Sequence, residues 1–197
     1  MKNQFYVSGI HTNTGKTHFS AIFCKLFDFN YFKLIQAGYP KDSDFVKNIN
    51  PNKKILEGYV LNTPKSPHIA KKLENATYKG YDIKIPNISK LLIELAGGLY
   101  TPLDEKITMI DYMSSNKRPT FLVAKYYLGA INHILLSLNA LKNKNIPILA
   151  LVMMGVKNDI FDDFIRTYID IPILHLNFYK NKKNEKFIKQ ILDLKIL

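Results

Sequence analysis

The residues best equipped for chemistry in this 197-residue chain begin at Gly9. The run GIHTNTGKT, Gly9 to Thr17, follows the apolar segment QFYVS and precedes a helical pattern, which is the setting of a phosphate-binding loop. Glycines let the backbone turn closely around phosphate oxygens. Amide NH groups and a helix N-terminus supply partial positive charge, and Lys16 adds a full one. Thr17 stands where a hydroxyl can hold Mg2+. The spacing is unusual, with five residues rather than four between Gly9 and Gly15.

A metal ion shared with phosphate needs more oxygen ligands, so acids at strand ends and loop starts are the next candidates. Glu94 ends the apolar run LLIE and precedes LAGG, whose small residues would let phosphate or substrate approach the backbone. Asp44 lies in KDSDF, just past a second apolar strand. Asp42 competes for the same role, and Asp42, Ser43 or Asp44 can instead cap the helix SDFVKN. Lys33 interrupts the strand YFKLIQ. Burying an unpaired ammonium is costly, so Lys33 either snorkels to water or faces an anion. His68, after a proline at a helix start, is as readily structural as functional. His11, His18, His133 and His175 lack metal-ligand spacing, and no zinc site is expected.

The elements that must position these residues follow from periodicity. QFYVSG, YFKLIQ, LLIELAG, TFLVAKYY, IPILALVMM and IPILHL read as buried strands bounded by turn residues. GKTHFSAIFCKLFDF, SPHIAKKLEN, GAINHILLSLNALKNKN, DIFDDFIRTYI and NEKFIKQILDLKI carry apolar residues at helical spacing. Continuous apolar strands need cover on both faces. The alternation therefore predicts a single α/β P-loop domain over 1–197, a mostly parallel sheet with helices on both faces and ligands at the carboxyl ends of the strands. The longest loops are expected from Asn48 to Lys54 and from Thr77 to Lys84.

Composition narrows the class. Hydrophobic residues make up 47% of the chain, and no apolar run approaches the roughly 18 to 20 residues that cross a bilayer. The N-terminus lacks the features of a secretory signal, and the lone Cys24 sits among apolar residues as a core thiol. A soluble, cytoplasmic protein is expected, without membrane association. The net charge of +12 could mean nucleic acid, but only Arg118 and Arg166 are arginines and the lysines are scattered. Their densest cluster, Lys180, Lys182, Lys183 and Lys186, reads as a solvated turn and helix start. No nucleic-acid partner is expected.

Several segments together resemble dethiobiotin synthetases. GIHTNTGKT has that family's loop spacing, YFKLIQAG resembles its second-strand segment with the catalytic lysine, and SPHIA its SPH segment. ELAGGLYTPL resembles its EGAGG segment and LGAINHILLSLNAL its LGxINHxxLT helix. The order is the family's over roughly the first 155 residues. The resemblance implies an ATP-dependent cyclo-ligase that converts 7,8-diaminononanoate, CO2 and MgATP to dethiobiotin, ADP and phosphate. A substrate amine becomes a carbamate, ATP phosphorylates it, and the second amine closes the ring. By the same matching, Lys16 holds the transferring phosphate and Lys33 stabilises the carbamate. Thr12, Asn13, Thr14, Gly15, Lys16, Thr17 and His18 surround phosphate, while Glu94, Leu95, Ala96 and Gly97 border nucleotide and substrate. Thr17, Asp44 and Glu94 hold Mg2+, the implied metal cofactor. Thr12, Lys33 and Ala37 meet the substrate, and Pro172, Ile173 and Leu174 stand in the base pocket. A homodimer is implied, in which Gly129, Ala130 and Asn132 at one helix start reach the neighbour's substrate.

Departures from the family pattern are informative. Ala37 replaces a substrate-binding serine, and the Asn-Asp pair that contacts the base is replaced around Gly155 and Val156. Adenine recognition is therefore expected to be weak, with phosphates and Mg2+ supplying most of the nucleotide affinity. The chief rival is a P-loop ATPase of the partitioning type. That class has an extra lysine early in the loop, where this chain has Ile10, His11 and Thr12. MGVKND has the wrong order for the guanine motif of a GTPase.

Overall fold

Strand β1 (Gln4–Gly9) is buried along its whole length and alternates between two cores. Phe5 and Val7 point into one, and Tyr6 into the other. That two-sided burial explains why the strands read as continuous apolar runs, and it fixes the architecture. In the computed structural model, which describes residues 3–178 and 185–196, the remaining strands are β2 (Asn30–Ala37), β3 (Ile55–Leu61), β4 (Leu91–Gly98), β5 (Thr120–Lys125), β6 (Ile148–Met154) and β7 (Ile173–Leu176). They form one sheet in the order β3-β2-β4-β1-β5-β6-β7, and every pairing among them is parallel.

Helices α1 (Lys16–Phe27), α2 (Asp42–Ile49), α3 (Pro67–Leu73), α4 (Met109–Ser115), α5 (Ala130–Asn143), α6 (Asp159–Arg166) and α7 (Glu185–Asp193) cover both faces. One core gathers Phe19, Phe23, Phe29, Phe121 and Phe187 around α1 and α7, with Cys24 fully buried among them. The other holds the buried residues of α3, α4 and α5 against the opposite sheet face. No helix among the described residues is long and apolar enough to cross a membrane.

The expected α/β fold is present, with two elements that periodicity did not reveal. Strand β3 is a sheet edge whose side chains are mostly half-exposed, and Glu57 and Gly58 interrupt its apolar pattern. Helix α4 has only seven residues, but Thr108 and Asp111 form a reciprocal capping box that marks its start. Of the two expected loops, the first is partly α2, which runs to Ile49, and the second contains a short 3-10 turn at Gly80–Asp82. In the basic cluster, Lys180, Lys182 and Lys183 lie outside the described residues.

Sheet order sets the site. β1 lies between β4, whose far neighbour is β2, and β5, so the chain crosses to either side of it. Its carboxyl end is a topological switch point, where ligands bind in open α/β sheets. The GIHTNTGKT loop leaves β1 at that point.

Candidate active site

The loop geometry is that of an anion cradle. Gly15 adopts φ 97°, a left-handed conformation that disfavours a side chain, and caps α1 without any side-chain hydrogen bond to the first-turn amides. A helix N-terminus of this kind directs its partial positive charge at phosphate oxygens. A Cβ on Gly9 would stand 2.7 Å from Thr14 Oγ1 and 2.8 Å from the His11 carbonyl, so glycine is required for the loop to close on itself. Lys16 Nζ lies inside this curve and donates to the His11 carbonyl at 3.3 Å. Burial, with repulsion from Lys33 next, pulls its pKa from 10.5 down to about 8, against attraction from Glu94 and Asp42. A phosphate would restore full charge to it.

Beside the loop, β2 and β4 place two opposite charges side by side. Parallel register pairs Lys33 directly with Glu94, on the sheet face that α1 covers. Lys33 Nζ donates to Glu94 Oε1 at 2.9 Å and also forms an ion pair with Asp42. Burial opposes the charge on Lys33, yet the two carboxylates outweigh it and hold the pKa above the ordinary lysine range. Lys33 therefore does not snorkel. It faces anions. Burial likewise opposes charge on Asp42, but Lys33 and, more weakly, Thr17 and Lys16 hold that carboxyl below the usual range.

Glu94 is fully buried and accepts four hydrogen bonds. Thr17 Oγ1 (2.9 Å) and Lys33 reach Oε1, while Ser20 Oγ (2.8 Å) and the Tyr31 hydroxyl (3.1 Å) reach Oε2. Thr17 and Ser20 come from one face of α1 at three-residue spacing, and Tyr31 and Lys33 from one face of β2 at two-residue spacing. Neither Ser20 nor Tyr31 was singled out in the sequence, where the spacing from Thr17 and Lys33 puts them on the same faces but does not mark them as functional. Gln36 contributes by accepting the Asp42 backbone NH at 3.0 Å, which fixes the start of α2 against the site.

These groups line a cavity of about 800 Å3. Its walls include Thr12, Asn13, Gly15 to His18, Lys33, Ala37, Asp42, Glu94, Ala96 and Gly97. The loop at Pro64 to Pro67, with Thr101 and Pro102, contributes further wall. Thr14 is buried within the loop and donates to the His11 carbonyl at 3.3 Å.

Other expected positions lie elsewhere. Asp44 is exposed and does not line the cavity; Asp42, two residues earlier in the first turn of α2, does. Leu95 points into the core on the far face of β4. Pro172 precedes β7 at the amino end of the sheet, where its carbonyl accepts from Leu151, and Ile173 and Leu174 are buried in the two cores. Beyond the carboxyl end of β7, Phe178 lines the cavity instead, with its ring 5.5 Å from that of His18. Gly129, Ala130 and Asn132, at the start of α5, are not among the cavity-lining residues.

An oxygen donor set of Thr17, Asp42 and Glu94 suits a hard divalent cation, and the Lys33 ammonium seated between the two carboxylates shows that they already hold a cation. The residues present thus fit Mg2+.

Sheet order, phosphate loop and buried lysine-carboxylate cluster define a P-loop nucleotide-binding protein of the α/β class. A family model described as an AAA domain matches residues 3–197. The chain belongs to the family of ATP-dependent dethiobiotin synthetases. It is 56% identical to ATP-dependent dethiobiotin synthetase BioD of Campylobacter jejuni over 98% of this chain and 99% of that one. The enzyme of the same name from Lawsonia intracellularis is 39% identical, over 87% and 85% of the two chains. A putative plasmid partition protein from Borrelia burgdorferi, at 11% identity, covers 98% of this chain and 97% of its own with a TM-score of 0.59, a likeness of fold alone.

Proposed function

We propose that this protein is an ATP-dependent ligase that joins CO2 to 7,8-diaminononanoate and closes the ring of dethiobiotin. The observation that carries the reading is the buried Lys33, held by Glu94 and Asp42 at the edge of a cavity that also contains Lys16 and Thr17. The names of the relatives supply ATP and the product dethiobiotin, and the resemblance of the sequence motifs implies the other substrates.

Every stage of such a reaction handles anions, and the site is built for them. Lys16 and the loop amides bind the triphosphate and hold the transferring phosphoryl group. Lys33 provides a fixed positive charge for the carbamate oxygens and for the charge that grows when the second amine displaces phosphate. Ala37 and the Pro64 to Pro67 loop shape the wall beyond Lys33, where the carbon chain would run. Thr17, Asp42 and Glu94 would hold Mg2+, which when bound neutralises charge on the phosphates.

The proposal extends to a homodimer. Gly129 caps α5 in a left-handed conformation without a side-chain hydrogen bond, leaving NH groups suited to the substrate's distal carboxylate. Because this helix start lies off the cavity of its own chain and Leu128 beside it is fully exposed, a second copy is the natural recipient.

The direct experiment is incubation with diaminononanoate, bicarbonate and Mg2+ plus ATP, GTP or CTP, following the cyclic urea by mass and phosphate by release. Product is expected with all three nucleotides at KM values within about tenfold of one another, because stacking on Phe178 is tolerant of base identity. Absence of product from every nucleotide would reject the function. A strong preference for ATP would reject only the tolerance. In the same assay Asp42→Asn is expected to lower kcat by about tenfold or more and raise the Mg2+ requirement, while Asp44→Asn stays within about twofold. Equal losses would return Asp44 to the site.

A further inference from the structure

The four hydrogen bonds to Glu94 divide by oxygen and by kind. Oε2 accepts from Ser20 and Tyr31, two neutral, fully buried hydroxyls on α1 and β2. Oε1 accepts from Thr17 and Lys33, both of which face the cavity. The proposed chemistry needs Lys33 elsewhere, with its charge on the carbamate, whereas the Thr17 hydroxyl can give a lone pair to the metal and keep its hydrogen bond to Oε1. A fully buried carboxylate that loses an ammonium partner is costly to maintain unless other donors stay with it.

We infer that Ser20 and Tyr31 are positioning residues that pin Glu94 through Oε2, so that Oε1 can pass from Lys33 to the metal ion without the carboxylate turning. Lys33 then holds the cation's place in the nucleotide-free protein and is released towards substrate when the metal enters. This rests on the metal site proposed above. It gives Lys33 two successive anionic partners and makes metal loading favour substrate binding, since the same ammonium cannot satisfy the carboxylates and the carbamate fully at once.

The test is Mn2+ binding to the full-length, nucleotide-free protein, read as free Mn2+ by electron paramagnetic resonance. Ser20→Ala and Tyr31→Phe are each expected to weaken binding by about tenfold, with Ser20→Thr retaining it because the hydroxyl remains. Lys33→Met should move the other way and tighten binding by about tenfold or more, as the competing ammonium is gone. General damage to the fold would weaken Mn2+ binding in every variant, so the opposite sign in Lys33→Met separates the two explanations. Wild-type affinity in both Ser20→Ala and Tyr31→Phe, or equal or weaker affinity in Lys33→Met, would overturn the inference. Should Tyr31→Phe fail to fold, the contrast between Ser20→Ala and Ser20→Thr decides. Glu94→Gln keeps the two failures apart. If it binds Mn2+ as well as wild type, the metal site itself is wrong; if it loses Mn2+ while Ser20→Ala and Tyr31→Phe do not, only the positioning role is.

Discussion

Lys33→Ala is expected to reduce cyclic-urea formation by about 10² to 10³-fold, the loss typical of removing one preorganised charge or donor from a developing anion. The effect should fall on kcat, because triphosphate binding depends on Lys16 and the loop amides rather than on β2. Stability should fall as well. Removing Lys33 leaves Glu94 fully buried and Asp42 beside it without their shared counter-charge, and breaking one side of a buried ion pair costs about 3 to 5 kcal/mol. For a chain of this length that corresponds to a fall in Tm on the order of 10 °C. Mg2+ should restore part of the lost stability by supplying the missing positive charge, whereas it should restore none of the turnover. Thermal unfolding with and without Mg2+, beside single-turnover product formation, checks both halves. Unchanged turnover would remove Lys33 from the chemistry, and an unchanged Tm would mean that the two carboxylates find another partner.

How much of this was legible in the sequence depends on which kind of signal each residue leaves. The loop was plain because glycine, lysine and threonine occur there at a spacing that only phosphate binding demands. Lys33 and Glu94 stood out as charges in apolar runs, although only the parallel register shows that they meet. Asp42 and Asp44 could not be separated by type. They are two residues apart in the first turn of a helix, a rotation of about 200°, so one faces the cavity and the other solvent. The Pro172 to Leu174 assignment followed a resemblance in letters, and these residues lie off the cavity because the ligand edge of a parallel sheet is the carboxyl end of each strand, which for β7 is Leu176 and beyond. Ser20 and Tyr31 were hidden because a serine in a helix and a tyrosine in an apolar strand read as ordinary packing. Their hydroxyls gain meaning only from the carboxylate that β4 brings between them.

Lys16→Met is expected to lower kcat/KM for the triphosphate by about 10²-fold or more, since the residue both binds the phosphates and steadies the group in flight. A distinct signature accompanies it. Because burial and Lys33 bring the Lys16 pKa to about 8, a good part of the protein carries a neutral amine there at mildly alkaline pH. Phosphate binding favours the ammonium, so metal-free triphosphate should take up about half a proton per site at pH 8, and its affinity should fall as pH rises beyond that point. Calorimetry in buffers of different ionisation enthalpy measures the uptake directly, and Lys16→Met should abolish it. Stability shows the converse dependence. Between about 8 and 10.5 the unfolded chain keeps the Lys16 proton and the folded chain does not, so this residue's contribution to stability rises with pH across that window. It reaches its full value only above the unfolded pKa. The Lys16→Met protein, with no ammonium to bury, should be more stable than wild type near neutral pH, with the difference shrinking as pH climbs towards 10.5. A triphosphate affinity that is flat from pH 7 to 9 in the wild type would show instead that Lys16 is fully charged before the ligand arrives.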